Sequence, residues 1–392
     1  MPKTIIKPNR EVAPVQLANA LTTIMQRYLP LEFEKTRISP EEAWQILTYA
    51  SVTQQTVEAA CDALPDAPSA NRLREVLLPA LPTLPKLQGQ LNCVLRQQLH
   101  PSLFKKKRAF QFAIDLTLIP YHGQAQTEAD EVMRGEAKSG TTHFHGYATL
   151  SLVHDKRRYT LIIIFVRLGQ TMAEVVRQLL DRLKRLDFKV RRLYLDAGFC
   201  SVAVLKTLRR RQLSFLLPIP LRGKSGGVRN LFTRPKSYVG YYTFHSPTEG
   251  AWTVKAVALR RYLKGRYKKH GIQWFAYAIS GLPWHTPLGQ VFEWYRRRFA
   301  IETSYRQMHQ LRARTTSRNP VWRLLLVGLA FILVNLYITL RRTFVVGAST
   351  DYHPTTNLPI SIDRLATALR QAVELLLGSQ PALICRQPAV LS

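Results

Sequence analysis

The first quarter of the chain carries apolar residues at helical spacing. In the runs 15–28 and 87–99 they recur three and four positions apart, which predicts amphipathic helices. The candidate helix caps are Ser39, in a capping box with Pro40 and Glu42, and then Thr53 and Ser69. We therefore predict a helical N-terminal domain over residues 1–105, serving either DNA-end binding or packing and oligomerisation.

Strand patterns replace the helical pattern after the basic segment 105–108. The predicted strands are 110–118, 147–153, 159–166, 190–195 and 213–217. Helical patterns at 172–186 and 202–211 lie between the later strands. The order of three strands, helix, strand, helix and strand predicts an α/β sheet that begins with an antiparallel meander, as in ribonuclease-H-like (RNase-H-like) domains.

The rest of the chain divides into a β-rich stretch, a helical stretch and a tail. Alternating runs at 238–244, 252–259 and 273–279 indicate strands, and one helix is predicted from Leu288 to about Arg314. The predicted fold class is thus α/β, with an RNase-H-like mixed-sheet core. The predicted domains are the helical domain 1–105, the core 109–217 with 287–345, the β-rich insertion 218–286, and the C-terminal helix and tail 346–392.

An uncharged apolar run from Leu324 to Leu340 has two interpretations. It is close to the lower limit of about 17 residues for crossing a bilayer, and it contains Asn335. Because it continues from the preceding predicted helix, we favour a buried core helix and expect no membrane association. The alternative, a membrane anchor, predicts that the protein fractionates with membranes in the absence of DNA.

Charge narrows the range of partners. The 392 residues include 56 Lys and Arg against 25 Asp and Glu, a formal net charge of +31. A polyanionic partner explains such self-repulsion, and it can be nucleic acid or an acidic membrane surface. The hydrophobic fraction of 46% excludes global disorder.

The cysteines and the N-terminal residues indicate the compartment. No two of the four cysteines form a C-x-x-C motif, and their spacing suggests neither a zinc ribbon nor a disulfide framework. The first residues contain no apolar signal region. We therefore expect reduced thiols and a cytoplasmic protein.

Two carboxylates occupy unusual strand positions. Asp115 lies inside an apolar predicted strand, where an unpaired buried carboxylate costs several kcal/mol, on the order of 5. Asp196 ends another predicted strand, and carboxylates at strand ends of α/β sheets face the ligand crevice. Either residue alone is more simply a turn residue or a helix cap, but two in one sheet favour a shared site.

A third carboxylate lies in the predicted helix. Tyr295, Arg298, Glu302 and His309 are spaced three, four and seven positions apart, so in a continuous helix they share one face, with Arg306 near it. A helical Glu among Arg residues is ordinarily a solvated salt-bridge face. Together with Asp115 and Asp196, however, Glu302 would complete an oxygen-rich site suited to two Mg²⁺ ions.

These motifs carry a family resemblance over about residues 109–342. The chain resembles DDE transposases of prokaryotic insertion sequences, in the IS-four-like group. The matching pieces are Ile114-Asp115-Leu-Thr, Leu195-Asp196-Ala-Gly-Phe199, and a Y-x2-R-x3-E-x6-K/R signature at Tyr295, Arg298, Glu302 and His309. The family keeps a β-rich insertion between its second Asp and its Glu, as the pattern at 218–286 indicates here.

The resemblance implies roles for these residues. Asp115, Asp196 and Glu302 would be catalytic ligands of two divalent ions, Mg²⁺ or alternatively Mn²⁺. Tyr295 and Arg298 would contact the DNA backbone. His309 stands where the family has Lys or Arg, and since imidazole is mostly uncharged at neutral pH, Arg306 could supply the lost charge.

Weaker candidates lie outside the signature. Lys138 begins a polar stretch before the second predicted strand, and we assign it a DNA contact, with a plain surface role as the alternative. Trp252 and Trp274 lie in the β-rich insertion, where related enzymes stack a flipped base on an aromatic residue. Buried core packing is the other interpretation of these tryptophans.

The predicted function is DNA transposition. The protein would bind the terminal inverted repeats of its own element, free 3′-hydroxyls by metal-assisted hydrolysis and join them to double-stranded target DNA. We expect a homodimer on DNA. The alternative is a non-catalytic DNA-binding protein derived from a transposase.

Overall fold

The computed structural model describes most of the chain. The described residues are 13–34, 36–99, 101–104, 109–124, 132–154, 157–265, 270–282, 286–296, 298, 300–343, 345–346 and 358–379. For some of these, Glu302 among them, the description covers the backbone alone. The predicted tail falls partly outside these ranges.

Helices occur along the whole described chain, and five of them precede the first strand. They are α1 Pro14–Tyr28, α2 Pro40–Val52, α3 Val57–Ala63, α4 Ala70–Ala80, α5 Leu84–Gln97, α6 Met172–Arg185, α7 Val202–Arg210, α8 Leu288–Arg296, α9 Ala300–Gln310, α10 Pro320–Thr343 and α11 Ile362–Leu377. Short 3₁₀ turns occur at Pro101–Leu103, Ala197–Phe199 and Gly227–Phe232.

Strands occupy the middle of the chain. They are β1 Ala109–Pro120, β2 Met133–Lys138, β3 Thr141–His154, β4 Arg157–Val166, β5 Lys189–Leu195, β6 Phe215–Pro218, β7 Tyr238–Ser246, β8 Gly250–Leu263 and β9 Gly271–Ser280, with the short pair β10 Val345–Val346 and β11 Leu358–Pro359. Each strand predicted from sequence is therefore confirmed, and β2, β10 and β11 are additions.

The chain forms two compact units. The first comprises residues 1–98 and 306–392, and the second residues 99–305. In the first unit, α11 packs against α1 and α2, and α10 packs against α5 and α2. Residues 306–345, which the sequence assigned to the catalytic core, thus pack here with the N-terminal helices. The four domains predicted from sequence therefore divide the chain differently from these two units, and that division stays a prediction.

Capping explains where the N-terminal helices begin. The Ser39 hydroxyl accepts a hydrogen bond from the backbone N–H of Glu42, and the Glu42 carboxylate accepts one from the backbone N–H of Ser39, so the predicted capping box is confirmed. Ser69 caps α4 as predicted. The prediction that Thr53 caps the start of a helix was wrong. Thr53 is the C-terminal cap of α2, and Thr56 caps the start of α3.

Helix α10 contains the apolar run. By length and composition it could cross a membrane, but 89% of its most apolar window is buried in the protein. The Gln98 side chain donates a hydrogen bond of 2.8 Å to the carbonyl oxygen of Ile332. This burial is what the predicted core helix requires.

The second unit is built on one mixed sheet. Along the described strands the order is β2-β3-β1-β5-β6-β9-β8-β7, and β4 pairs with the part of β3 beyond β2. Strand β5 runs parallel to β1 and β6, whereas β3 runs antiparallel to β1. The predicted antiparallel start and mixed-sheet core are confirmed. The β-rich insertion is continuous with this sheet, since β9 pairs antiparallel with β6.

The long helix predicted from Leu288 is wrong. The structure has α8 ending at Arg296 and α9 beginning at Ala300, with Arg298 outside both helices. No Gly or Pro between 290 and 319 signals this break in the sequence. Tyr295 and Glu302 therefore belong to different helices, and the inference of one shared helix face from their spacing does not apply to them.

Candidate active site

The two aspartates lie at the same edge of the sheet. Asp115 is in β1, and Asp196 directly follows β5, the strand parallel to β1. In that pairing Ile114 is opposite Leu195, so the two aspartates follow paired positions of neighbouring strands. Carboxyl ends of parallel strands meet at one edge, and this places the two carboxylates together.

A single arginine joins the two carboxylates. The Nη1 atom of Arg298 donates to Oδ2 of Asp115 at 3.1 Å, and its Nη2 atom donates to Oδ1 of Asp196 at 2.9 Å. The side chains of Arg298 and Asp115 are only 4% and 9% exposed, whereas that of Asp196 is 42% exposed. The site is therefore a buried ion pair that opens to solvent on the Asp196 side.

Tyr295 forms another wall of this site. Its hydroxyl donates to Oδ1 of Asp196 at 3.4 Å, and the Arg298 guanidinium lies 5.0 Å from the centre of its ring. The ring also packs against that of Tyr277, in the core cluster between α8 and the sheet. Burial raises the pKa of Tyr295 above its ordinary value, against the opposing effect of Arg298, so the phenol stays protonated and donates.

Tyr305 connects α9 to the sheet beside Asp115. Its hydroxyl shares a hydrogen bond of 2.8 Å with Oγ1 of Thr149, the residue paired with Asp115 across β1 and β3. The ring is partly exposed but the hydroxyl is enclosed. Burial, and then the negative charge of Asp115, raise the pKa of Tyr305 well above its ordinary value. Because Tyr305 follows Glu302 by one turn, this bond holds that turn of α9 against the sheet.

The stability losses from removing the two partners of this bond are expected to be non-additive. Tyr305→Phe leaves the buried Thr149 hydroxyl without this bond and should lower the free energy of unfolding by about 1–3 kcal/mol, as should Thr149→Val. The double variant should lose less than the sum of the two single losses. Urea unfolding of the four proteins measures this, and strictly additive losses would contradict it.

The other signature residues lie along α9. Glu302 is in its first turn, and its side chain is outside the described part of the structure. Arg306 and His309 are exposed residues of the same helix, in the segment that belongs to the first compact unit. The structure therefore brings Asp115, Asp196, Tyr295 and Arg298 into one contact network. The catalytic, metal-binding and DNA-binding roles given to the signature residues stay predictions.

Comparison with known proteins identifies the family. A family model described as "Transposase DDE domain" matches residues 111–336, more than half of the chain. The chain belongs to this family. The matched segment begins in β1 and ends within α10, so it includes both aspartates and the whole strand-rich insertion.

The fold of this DDE transposase is also seen in a solved structure. A piggyBac transposase, in a cryo-EM synaptic complex with hairpin DNA, matches with a TM-score of 0.54 and 14% sequence identity. The match covers 94% of this chain and 79% of the other. At this identity the similarity concerns the fold, and it agrees with the predicted RNase-H-like core. None of the curated proteins matches this chain.

DDE transposases generally use divalent metal ions, and the donor chemistry here fits them. Asp115 and Asp196 both direct carboxylate oxygens at one cation, the guanidinium of Arg298. Carboxylate oxygens are hard donors, which Mg²⁺ and Mn²⁺ prefer. Within the described side chains there is no group of three or more His, Cys, Asp or Glu that could hold a metal. Glu302, whose side chain is outside the described part of the structure, stays the predicted third ligand.

The weaker candidates lie elsewhere in the second unit. Lys138 ends β2 and is exposed, so its predicted DNA contact remains open. Trp274 stacks on Phe232 with ring centres 5.2 Å apart, and Lys206 lies over the ring of Trp252. Both tryptophans are half-buried in intramolecular contacts, which fits the packing interpretation better than a free stacking platform.

Cys200, four residues after Asp196, should resist alkylation. Burial raises the pKa of its thiol to about 12, against the opposing charge of Arg222, and burial also raises the pKa of Cys61 to about 11. At pH 8 both should react at least roughly 100-fold more slowly than the exposed Cys93, because the thiolate is the nucleophile. Mass spectrometry of peptides after iodoacetamide treatment measures these rates, and similar rates for Cys93 and Cys200 would contradict the expectation.

Sequence analysis missed Tyr305, Thr149 and Tyr277. Each contacts the site through a partner far away in sequence, Thr149 and Tyr305 being 156 positions apart. A tyrosine three residues after Glu302 gives a weak signal, because an enclosed tyrosine hydroxyl normally has a hydrogen-bond partner. Nothing in the sequence indicates which partner that is.

Proposed function

We propose that this protein is a DNA transposase that cuts the ends of its own insertion sequence and joins the freed 3′-hydroxyls to target DNA. The observation that carries the proposal is the convergence of Asp115 and Asp196 on one shared cation, the guanidinium of Arg298. The two aspartates directly follow Ile114 and Leu195, which are paired across the parallel strands β1 and β5. Membership of the transposase family supports the same reaction class.

In this proposal the residues have three roles: metal binding, positioning and DNA contact. Asp115, Asp196 and Glu302 hold the divalent ions, which when bound supply an activated attacking oxygen and stabilise the leaving oxygen. Tyr295 orients Asp196 through its hydroxyl, and Tyr305 keeps the turn of α9 that follows Glu302 against the sheet. Arg298, Arg306 and His309 contact the phosphate backbone, with Lys138 as a further contact.

The same proposal includes the substrate, the number of copies that act together, the transposase group, the metal ion and the compartment. The substrate is double-stranded DNA, both terminal inverted repeats and target, and the net charge of +31 favours such a polyanion. The structural neighbour is a transposase in a synaptic complex with DNA, which supports two copies acting together on the ends. We place the protein in the IS-four-like group of prokaryotic insertion sequences on its Tyr-Arg-Glu signature, with Mg²⁺ as the working ion, in the cytoplasm on nucleoid DNA.

The test uses purified full-length protein and DNA carrying both flanks of its own gene. With Mg²⁺ or Mn²⁺ we expect strand cuts at the element ends, no cuts in EDTA, and no cuts with Asp196→Ala. The matched control is Asp181→Ala, which removes an exposed carboxylate of α6 that pairs with Arg211, and it should cut normally. Tight DNA binding without cuts in either ion would favour the non-catalytic alternative.

A further inference from the structure

Arg298 occupies the position that the proposed function gives to metal. Its guanidinium contacts both carboxylates at once, through different nitrogen atoms, and is itself 4% exposed. A divalent ion shared by Asp115 and Asp196 would bind the same two carboxylates. The two cations therefore compete for one set of ligands.

We propose that Arg298 is the counter-ion of Asp115 and Asp196 whenever they hold no divalent ion, and that a divalent ion binds these two aspartates only when the guanidinium leaves them. This inference rests on the proposed function, because it assumes that these two aspartates bind metal.

The electrostatics of the site require such a cation. Two carboxylates that share one arginine repel each other when both are ionised, and Asp115 is almost completely enclosed. A buried carboxylate needs a paired charge. Arginine keeps its charge at any physiological pH, so it neutralises the two carboxylates for as long as it contacts them, and it can release them only by moving.

The position of Arg298 permits such a movement. It lies between the end of α8 and the start of α9, outside the bounds of both helices. Positions at the ends of elements are those that absorb conformational changes. A released guanidinium also matches a phosphate group in the bidentate way in which arginine matches a carboxylate. The predicted DNA contact of Arg298 and its observed contact with the aspartates would thus be two states of one side chain.

The test measures Mn²⁺ binding to the full chain without DNA, from the loss of the EPR signal of the free ion. Arg298→Gln is expected to bind Mn²⁺ more tightly than the wild type, on the order of tenfold. Arg298→Lys keeps the charge without the planar fork and should lie between them. The matched control is Arg296→Gln, which removes the same charge from an exposed pair with Glu293 and should change the affinity by less than about twofold.

Thermal unfolding gives a second reading that does not depend on the variant being fully stable. In EDTA, Arg298→Gln should melt below the wild type, because Asp115 loses its buried partner. Saturating Mn²⁺ should raise its melting temperature more than that of the wild type, because the tighter-binding ion stabilises the folded state more.

The outcomes separate this inference from the proposed function. If Asp115→Asn with Asp196→Asn abolishes Mn²⁺ binding, but Arg298→Gln binds no more tightly than the wild type, Arg298 does not compete and the inference alone fails. If neither the wild type nor any variant binds Mn²⁺, or if Asp115→Asn with Asp196→Asn leaves Mn²⁺ binding unchanged, the metal site itself is refuted. The inference about Arg298 is then refuted as well.

Discussion

Asp115→Ala should destabilise the protein by about 3–5 kcal/mol, whereas Asp196→Ala should cost less than about 1 kcal/mol. Both aspartates bind Arg298, but Asp115 is 9% exposed and Asp196 is 42% exposed. Removing Asp115 leaves a buried guanidinium without its enclosed partner. Removing Asp196 leaves the buried Arg298–Asp115 pair intact, and it removes one ion pair and the long hydrogen bond of Tyr295 at the solvent edge.

Urea unfolding of the wild type and both variants, in EDTA, measures this asymmetry. Both variants should lose strand cleavage, so equal loss of activity would accompany unequal loss of stability. Asp181→Ala, which breaks an exposed ion pair with Arg211, should unfold nearly as the wild type does. Equal destabilisation by Asp115→Ala and Asp196→Ala would mean that the burial of Asp115 does not govern the strength of its pair.

Gly328→Ala should destabilise the first compact unit by about 1–3 kcal/mol, although alanine is the better helix former. Gly328 lies in α10, where it faces Leu91 of α5, and a Cβ atom added there would lie 2.5 and 2.7 Å from the two Cδ atoms of Leu91. Leu91 is fully buried, so it has little room to move away. The glycine is required because the two helices approach closely at this point.

Gly89→Ala in α5 is the matched control. No atom lies within 4 Å of a Cβ added at Gly89, so the substitution should stabilise the protein by up to about 1 kcal/mol through helix propensity. Urea or thermal unfolding of the two variants compares them directly. If Gly328→Ala proved as favourable as Gly89→Ala, α5 and α10 would not pack as closely as described.

The strands of the sheet could be predicted because their signals are local. Alternating and continuous apolar runs indicated β1, β3, β4 and β5, and these strands carry or flank both aspartates. One carboxylate inside or just after an apolar strand is weak evidence, but two in one sheet favoured a shared site. Strand β2 escaped prediction because its residues are almost all exposed and polar, without an apolar face to mark it.

The arrangement around Arg298 could not be predicted in the same way. The sequence between α8 and α9, where Arg298 lies, contains no Gly or Pro. A continuous helix was therefore the better inference from the sequence. The partners of Arg298, which are Asp115 and Asp196, are 183 and 102 positions away. Spacing within a helix relates residues a few positions apart, and it contains no information about such distant contacts.

The sequence by itself determined the order of elements, the basic character of the chain and the identity of its carboxylate and Tyr-Arg-Glu residues, because these follow from local pattern and composition. Only the tertiary structure decided that Arg298 neutralises both aspartates, that Tyr305 binds Thr149, and that α10 packs with α5. Pairing between distant segments depends on how strands and helices align in three dimensions, and each of these contacts exists only once the chain has folded.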